Sequence, residues 1–316
     1  MAGALTLETP VCDHCGEREN TILYAGSHWN KVLPIAVNLV QCKACGLVYL
    51  CPRPGPDEIG QFYQADYPCY QKAVDDEKFW LMRAMRQRKW ERRRQMVEKY
   101  SAARPGQILD VGSSTGLFLN EMKRAGWQAR GVEPNQEAAD YARQRFQLDV
   151  YTGFLQQAQF PGQSFDVVTY WDVLEHTASP AGELQETERI LKENGLLVIN
   201  IPNWNSLDRH LLGPYWIGLD PPRHFYVFPH HVLNAMLEKA GFEVIDWVCF
   251  FPSYFAFVSS IEFWLKIRHP GIEKLVSGLL NVPGMRLVFE PWFATLNFFK
   301  RGGVISVFAR KKALVK

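Results

Sequence analysis

Alternating strand and helix patterns from Gln107 onward constrain the fold more than any other feature of the chain. Such alternation is typical of a parallel sheet covered by helices on both faces, and ligands of such sheets bind beyond the carboxyl ends of the strands. We therefore predict an α/β fold. The predicted strands are 108–111, 128–132, 165–170, 196–201, 242–247 and 304–310, and the predicted helices between them are 117–125, 135–147 and 181–192.

A glycine turn, Asp110-Val-Gly112-Ser-Ser-Thr-Gly116, closes the first predicted strand and opens a helix. Its spacing differs from the Gly-x-Gly-x-x-Gly of dinucleotide-binding proteins, and no Gly-Lys-Ser/Thr of a phosphate loop follows. Glu133 ends the second strand, where a carboxylate can accept both hydroxyls of a ribose. The residues alone leave open a structural turn in a domain that binds some other ligand.

The turn and Glu133 resemble those of class I methyltransferases that use S-adenosylmethionine (SAM). A second segment, Phe165-Asp166-Val-Val-Thr-Tyr-Trp-Asp-Val-Leu-Glu175-His176, resembles the fourth strand of that family and the Leu-Glu-His turn after it. The family often has Gly or Ala where Ser113 and Ser114 stand. The resemblance implies that SAM is bound by Asp110, Gly112, Ser114, Thr115, Gly116, Glu133, Pro134, Phe154, Leu155, Trp171, Asp172 and His176. A purely structural role remains open for His176, and Glu175 is expected to orient its loop.

Two Cys-x-x-Cys-Gly pairs, Cys12/Cys15 and Cys42/Cys45, have the knuckle pattern of a zinc ribbon. Four protein thiolates leave no open coordination position, so we predict a structural zinc ion. Free thiols or an iron site are the alternatives, and His14 or His28 could replace a ligand. Cys51, Cys69 and Cys249 have no such partners and are expected to be ordinary buried residues.

Together, the knuckles, the segment Gly46-Leu-Val-Tyr-Leu-Cys-Pro-Arg-Pro54 and the SAM motifs resemble a bacterial group of ubiquinone-biosynthesis-like methyltransferases with an N-terminal zinc ribbon. The resemblance extends to about Phe242. Members of this group are often linked with glycan or secondary-metabolite pathways.

The acceptor side is predicted after the fifth strand, where Arg223-His224-x-x-x-Phe228 resembles a stretch that borders the acceptor pocket in related enzymes. Histidine has a pKa near neutrality and can take a proton from a hydroxyl as the methyl group arrives. We predict that His224 is the catalytic base or orients the acceptor. The alternative is that it only ties its loop to the core.

An aromatic insertion of more than fifty residues separates the last two predicted strands, 242–247 and 304–310, which we number six and seven as in the family that the chain resembles. One interpretation is a lid of two amphipathic helices or a homodimer contact. The other is a peripheral membrane contact through residues 251–300 that reaches a lipid-linked acceptor. Glu262 and Lys266 interrupt the apolar stretch and argue against a transmembrane span.

These features predict five regions: a zinc-ribbon module (1–56), a helical linker or cap (57–104), a SAM-binding core (105–250), a helical lid (251–302) and the last strand with a tail (303–316). The predicted fold class is a Rossmann-like sheet with an N-terminal zinc ribbon and a helical insertion between strands six and seven. The linker includes a long amphipathic helix with a basic stretch at 82–94.

The predicted function is methyl transfer from SAM to a small-molecule acceptor, most simply a hydroxyl of a metabolite, sugar or lipid-linked intermediate. RNA methylation through the ribbon and the basic helix is an alternative, as is a non-catalytic SAM-binding scaffold. The net charge of only +2 gives no support to a nucleic-acid partner. No secretory signal is recognised at the N-terminus, so a cytoplasmic or membrane-peripheral location is expected.

Overall fold

The computed structural model describes residues 6–26, 36–55, 58, 62, 73–77, 79–102, 105–250, 254–282 and 284–313. The N-terminal part is built from short antiparallel strands, in which β1 pairs with β5 and β3 lies between β2 and β4. The strands are β1 (Leu7–Glu8), β2 (Asn20–Tyr24), β3 (Leu39–Cys42), β4 (Val48–Leu50) and β5 (Arg53–Pro54). His28 and Cys69, named as sequence candidates, lie outside the described residues.

The predicted basic helix is present as α1 (Trp80–Tyr100) and ends where Ser101 takes an extended conformation. Among the residues of α1 whose burial is described, the buried ones, which include Trp90 and Val97, lie in its second half. Phe79, Trp80 and Met85 are exposed, so the amphipathic pattern predicted over the whole helix is wrong for its first turns.

The remaining chain forms a seven-stranded sheet with the order β12-β13-β10-β9-β6-β7-β8. The α/β fold class is therefore confirmed. The strands are β6 (Gln107–Val111), β7 (Gln128–Glu133), β8 (Asp149–Thr152), β9 (Phe165–Trp171), β10 (Leu191–Pro202), β11 (Tyr226–Val227, in the N-terminal sheet), β12 (Phe242–Val248) and β13 (Val304–Lys311). The helices are α2 (Leu117–Arg124), α3 (Gln136–Phe146), α4 (Pro180–Ile190), α5 (Leu207–Leu212), α6 (His230–Lys239), α7 (Tyr254–Arg268), α8 (Glu273–Leu280) and α9 (Met285–Phe298).

The sheet differs from the predicted one at both edges. Strand β8 was not predicted, and it pairs in parallel with β7 as the outermost strand on that side. Strand β13 runs antiparallel to both β10 and β12, so the sheet is mixed and not fully parallel. A central parallel sheet with one reversed strand near an edge is a common arrangement in doubly wound folds.

The insertion between β12 and β13 contains three described helices, α7, α8 and α9, where two were predicted. Helix α7 contacts the segment after β10, because the Ser260 hydroxyl accepts a hydrogen bond from the amide of Ile217 and Arg268 donates to the hydroxyl of Tyr215. The insertion therefore borders the side of the sheet on which the acceptor is predicted to bind. Among the described residues, no helix combines the length and apolar character needed to cross a bilayer.

Candidate functional site

The glycine turn after β6 is closely packed against its neighbours. Gly112 has φ +71°, and a Cβ added there would lie 2.5 Å from Cγ2 of Val173. Gly116 has φ +78°, and its Cβ would lie 2.6 Å from Cδ1 of Leu148. Glycine is therefore required at these two positions for two reasons: the positive φ angle and the close approach of neighbouring side chains to the backbone. The turn lies directly beside Val173 in the loop that follows β9.

Glu133, at the end of β7, is buried and accepts two backbone hydrogen bonds. Its Oε2 atom accepts from the amide of Ser114 at 2.8 Å, and Oε1 accepts from the amide of Asn135 at 2.9 Å. Burial raises the pKa of Glu133 against the effect of these two donors. Each carboxylate oxygen keeps a further lone pair for a ribose hydroxyl. The turn and this carboxylate therefore fit an adenosyl ligand.

Asp110, at the end of β6, is a buried carboxylic acid below the turn. Its Oδ1 atom accepts a hydrogen bond from the Thr169 hydroxyl at 2.6 Å. Burial raises the pKa of Asp110 to about 7, and the nearby charge of Arg93 opposes that rise. The residue therefore changes charge near neutral pH, in a position that sequence alone linked to SAM.

Arg93 is a site residue that the sequence analysis missed. It extends from α1 to the end of β9, where its Nη2 atom donates to Oδ2 of Asp172 at 3.2 Å. Its guanidinium also lies 4.4 Å from the ring centroid of Trp171. The signal was present in the sequence, because residue 93 is three positions after Trp90 and four before Val97, on the buried face of the helix.

The other predicted SAM contacts differ in exposure. Thr115 is buried in the turn, while Pro134 and Phe154 are exposed, the latter by 54%. The amide of Gly153 donates to the carbonyl of Glu133 at 3.1 Å, which places the Phe154 turn beside the ribose carboxylate. Leu155 lies in the hydrophobic core, and its contact with SAM stays a prediction.

Buried Glu175 and half-buried His176 and His224 form a cluster on the predicted acceptor side, in which one ligand atom of each lies within 4.8 Å of the others. The Nδ1 atoms of His176 and His224 lie 2.9 Å from the carbonyls of Arg223 and Gly218, respectively. Because a carbonyl only accepts, each Nδ1 carries the proton and each Nε2 keeps a lone pair.

Electrostatics keep both imidazoles of this cluster neutral. Burial and the neighbouring His224 together lower the pKa of His176 to about 3. Burial also lowers the pKa of His224, although Asp220 opposes this effect. Neither oxygen of Glu175 accepts a hydrogen bond from a described residue, and burial raises its pKa well above the usual value. The cluster thus offers several acceptors, and it suits a proton or a divalent cation.

The four predicted cysteine ligands come together at the N-terminus. The Sγ atoms of Cys12, Cys15, Cys42 and Cys45 all lie within 4.8 Å of one another. The closest pairs, Cys12 with Cys45 and Cys15 with Cys42, are separated by 3.4 and 3.5 Å. Tetrahedral zinc with Zn–S bonds of about 2.3 Å needs sulfurs roughly 3.8 Å apart, so the set fits such an ion.

The backbone around the cysteines supports thiolates. Burial would raise the pKa of Cys42, but the amides of Cys45 and Ala44 donate to its sulfur and the pKa falls to about 7. Gly16 and Gly46 both have positive φ, as the knuckle turns require. His14 is in the first knuckle but is not part of the metal-binding cluster found among the described residues. Cys51 and Cys249 are buried, as expected for ordinary core cysteines.

The cysteine-bearing sheet continues into the loop that carries His224. Strand β11 pairs antiparallel with β4, and the amide of Leu50 donates to the carbonyl of Phe225. Arg53 fixes the same loop, because its Nη1 atom donates to the hydroxyl of Tyr226 at 2.9 Å and its Nη2 atom to the carbonyl of Ala178 at 3.1 Å. Two residues after His224, the chain therefore becomes an edge strand of the N-terminal sheet.

The strand order, the glycine turn and the buried carboxylate of Glu133 match the fold and the SAM motifs of class I SAM-dependent methyltransferases. A family model described as a methyltransferase domain matches residues 82–246, which is more than half of the 316 residues. The chain belongs to this methyltransferase family.

Curated relatives match the central part of the chain. A ubiquinone biosynthesis O-methyltransferase of Ruegeria is 28% identical over 150 residues, which cover 44% of this chain and 61% of the relative. A SAM-dependent methyltransferase of Mycolicibacterium smegmatis is 29% identical over 167 residues, which cover 50% of this chain and 60% of the relative. A protein of a Streptomyces fradiae transposon is 33% identical over 113 residues, which cover 33% of this chain and 33% of the relative. The chain thus spans at most about three fifths of these relatives.

Among solved structures, the complex between the Haloferax volcanii Trm112 methyltransferase activator and a methyltransferase contains a similar chain. The TM-score is 0.50 at 17% identity, over 73% of this chain and 93% of that one. At this identity the similarity shows the fold alone.

Proposed function

We propose that this protein transfers the methyl group of SAM to a hydroxyl of a small-molecule acceptor, with His224 as the base. The observation that carries the proposal is the state of His224. Its Nδ1 proton is bound by the carbonyl of Gly218, its burial keeps the ring neutral, and Nε2 is left with a lone pair. A neutral imidazole with one fixed tautomer is what proton abstraction from a hydroxyl requires.

In this reaction, SAM supplies an electrophilic methyl group on a sulfonium. The acceptor oxygen forms the new bond to carbon, the sulfur–carbon bond breaks, and the hydroxyl proton moves to Nε2 of His224. Asp220 stabilises the imidazolium that forms, because its Oδ2 atom lies 3.8 Å from that nitrogen. Much of the remaining catalysis is alignment, which the closely packed turn and Glu133 support.

The state of helix α1 supports a small acceptor over RNA. A basic helix that grips phosphates needs its cations available. Here Arg93 pairs with Asp172, Arg94 pairs with Glu98 and Glu121, and Arg86 pairs with Glu77. These arginines are therefore engaged by carboxylates of the same chain.

Zinc at the four cysteines is part of the proposal. The sulfur separations fit a tetrahedral ion, and four protein ligands would exclude a water ligand, so the role is structural. A cytoplasmic location is also proposed, because thiolate ligands persist in a reducing compartment.

The test compares His224→Gln with His210→Gln, a matched change at an exposed histidine. Each protein is incubated with methyl-labelled SAM and fractionated extract of the source organism, and binding of the demethylated product is measured by calorimetry. We expect His224→Gln to lose about 100-fold or more in labelling with little change in binding, because base catalysis typically contributes 10²–10⁴-fold.

Two results would contradict the proposal. Full labelling by His224→Gln would remove the base role. Binding of SAM by the unaltered protein with no labelling in any fraction would instead support the scaffold alternative.

A further inference from the structure

The helical insertion exposes an unusual amount of apolar surface. Of the 21 large hydrophobic residues that are exposed in the described chain, ten lie between residues 254 and 299. Monomeric proteins in water rarely expose apolar surface in such concentration, and where they do it commonly marks an interaction site. The ten residues are Phe255, Ile272, Leu275, Leu279, Val282, Leu287, Val288, Trp292, Phe298 and Phe299.

Helix α8 buries none of its residues, although helices of globular proteins normally bury their apolar face. Val276, Ser277 and Leu280 are half-buried on its inner side. Its contact with α7 includes polar groups, because the Ser277 hydroxyl and the Asn281 amide both donate to Glu262, the latter at 2.9 Å. Leu275 and Leu279, four residues apart and therefore on one face, are left exposed.

The apolar face continues past the end of α8. Val282 is exposed after the helix, and Leu287 and Val288 are exposed by 75% and 70% in the first turn of α9. These residues lie at the connection between the two helices, away from the buried Phe293 and Leu296 of α9. An apolar tip on a polar base is the arrangement of an interfacial anchor.

The insertion also carries a net positive charge, as helix α1 does. Residues 254–301 contain six basic residues (Lys266, Arg268, Lys274, Arg286, Lys300 and Arg301) and three acidic ones (Glu262, Glu273 and Glu290), a net charge of +3. The whole chain has a net charge of +2, so the remainder is −1. Each basic residue near an anionic bilayer contributes about 1 kcal/mol of attraction, less for Arg286 and Lys300, which pair with Glu290 and Asp246.

We propose that residues 254–301 dock on the surface of an anionic lipid bilayer, with the tip formed by Leu275, Leu279, Val282, Leu287 and Val288 inserted among the lipid headgroups. This docking goes beyond the proposed methyl transfer and does not depend on it. A second copy of the chain fits less well, because a two-fold contact would bring this positively charged segment against itself.

The docked face adjoins the acceptor side. Helix α7 holds the segment 213–219 through Ser260 and Arg268, and that segment leads directly into Asp220 and His224. A bilayer at the insertion would therefore lie on the side of the sheet where the proposed base stands.

The test uses the full-length protein in flotation assays with phosphatidylcholine vesicles that contain or lack about 30% phosphatidylglycerol. On the anionic vesicles, each basic residue near the surface should contribute about 1 kcal/mol of attraction. We expect binding to the anionic vesicles, weaker binding to the neutral ones, and loss of binding at high salt. Leu275→Ser combined with Leu287→Ser should reduce binding at least tenfold. Ile22→Ser combined with Phe79→Ser, which removes exposed apolar residues elsewhere, should leave it unchanged.

Affinity for the demethylated SAM product, measured on every variant, establishes that the proteins are folded. Equal binding of the double tip variant and the unaltered protein would overturn the proposal, as would binding that does not respond to lipid charge. A dimer that the tip variant dissolves, in a protein that binds no vesicle, would assign the surface to a second copy instead.

Discussion

The buried carboxyl group of Asp110 lowers the stability of the folded protein when it is ionised. Asp110 is fully buried, with the Thr169 hydroxyl donating to its Oδ1 atom, and burial raises its pKa to about 7. Its folded state therefore binds more protons than its unfolded state between pH 3.8 and about 7. By linkage, stability falls as pH rises through that interval, at up to about 1.4 kcal/mol per pH unit.

Asp110→Asn should remove this dependence, because an amide keeps an oxygen for Thr169 without becoming charged. We expect the variant to be more stable than the unaltered protein at pH 8 and nearly equal to it at pH 4, as measured by urea unfolding across this range. Affinity for SAM should fall. Asp149→Asn, at an exposed aspartate, is the control; a similar pH profile for both variants would contradict the assignment.

Local sequence patterns predicted the residues of the glycine turn and Glu133, since a turn and the end of its neighbouring strand are close in the chain. The sequence analysis missed Arg93 because it is one of three consecutive arginines, Arg92-Arg93-Arg94, which composition alone does not distinguish. Its spacing from Trp90 and Val97 distinguishes it from its two neighbours, and the packing of α1 on the sheet shows that this is the buried face. Both oxygens of Glu175 are buried without a hydrogen bond from a described residue. That state results from packing between distant segments, so residue spacing in the sequence could not predict it.

At the scale of elements, the first cysteine knuckle caps a helix of the methyltransferase core. Asp13, between two proposed zinc ligands, accepts hydrogen bonds from the amide of Ala181 at 2.7 Å and the hydroxyl of Ser179 at 2.8 Å. Ser179 and Ala181 lie at the N-terminus of α4, where a carboxylate satisfies exposed amides and favours the helix dipole. The knuckle thus stabilises a helix that begins four residues after His176.

Asp13→Ala should destabilise the protein by about 1–2 kcal/mol, the usual cost of losing a helix cap. Chemical denaturation measures the change, and metal analysis checks that the neighbouring cysteines keep their ion. Glu19→Ala serves as the control, since Glu19 pairs with Lys43 at the exposed surface and should cost about 0.5 kcal/mol or less. Similar losses for both variants would show that Asp13 does not act through α4.

Elements with strong local signals were predicted well, and those defined by distant partners were not. Strand β11 has only two residues, and it exists because β4 offers an edge to pair with. The reversal of β13 likewise depends on how the three-helix insertion returns the chain to the sheet. The number of helices in that insertion was missed because its apolar residues are too dense to show a period.

At the scale of the whole molecule, the cysteine-bearing part and the methyltransferase core are continuous. One hydrophobic cluster contains Cys12, Cys42 and Val48 together with Val168 and Ile199 of the central sheet. The boundary predicted near residue 56 thus marks a change of composition, while the apolar core extends across it.

Heat should therefore unfold the metal-loaded protein in one transition, because the parts share their core. Metal removal, or Cys12→Ser, should shift that whole transition down by several degrees in calorimetry. Cys51→Ser alters a buried cysteine outside the metal cluster and should keep both the ion and the single transition. A separate early transition that leaves the main one unmoved would indicate an independent ribbon.

The hydrogen bond from Arg53 to the hydroxyl of Tyr226 joins residues that are 173 positions apart in the sequence. A ribosome that adds 5–20 residues per second takes roughly 9–35 s to make the intervening chain. Throughout that time the guanidinium of Arg53 stays hydrated, and the edge of β4 has no strand to pair with. The segment that is synthesised earlier therefore reaches its final surroundings late, and a nascent chain exposes that edge to other proteins in the meantime.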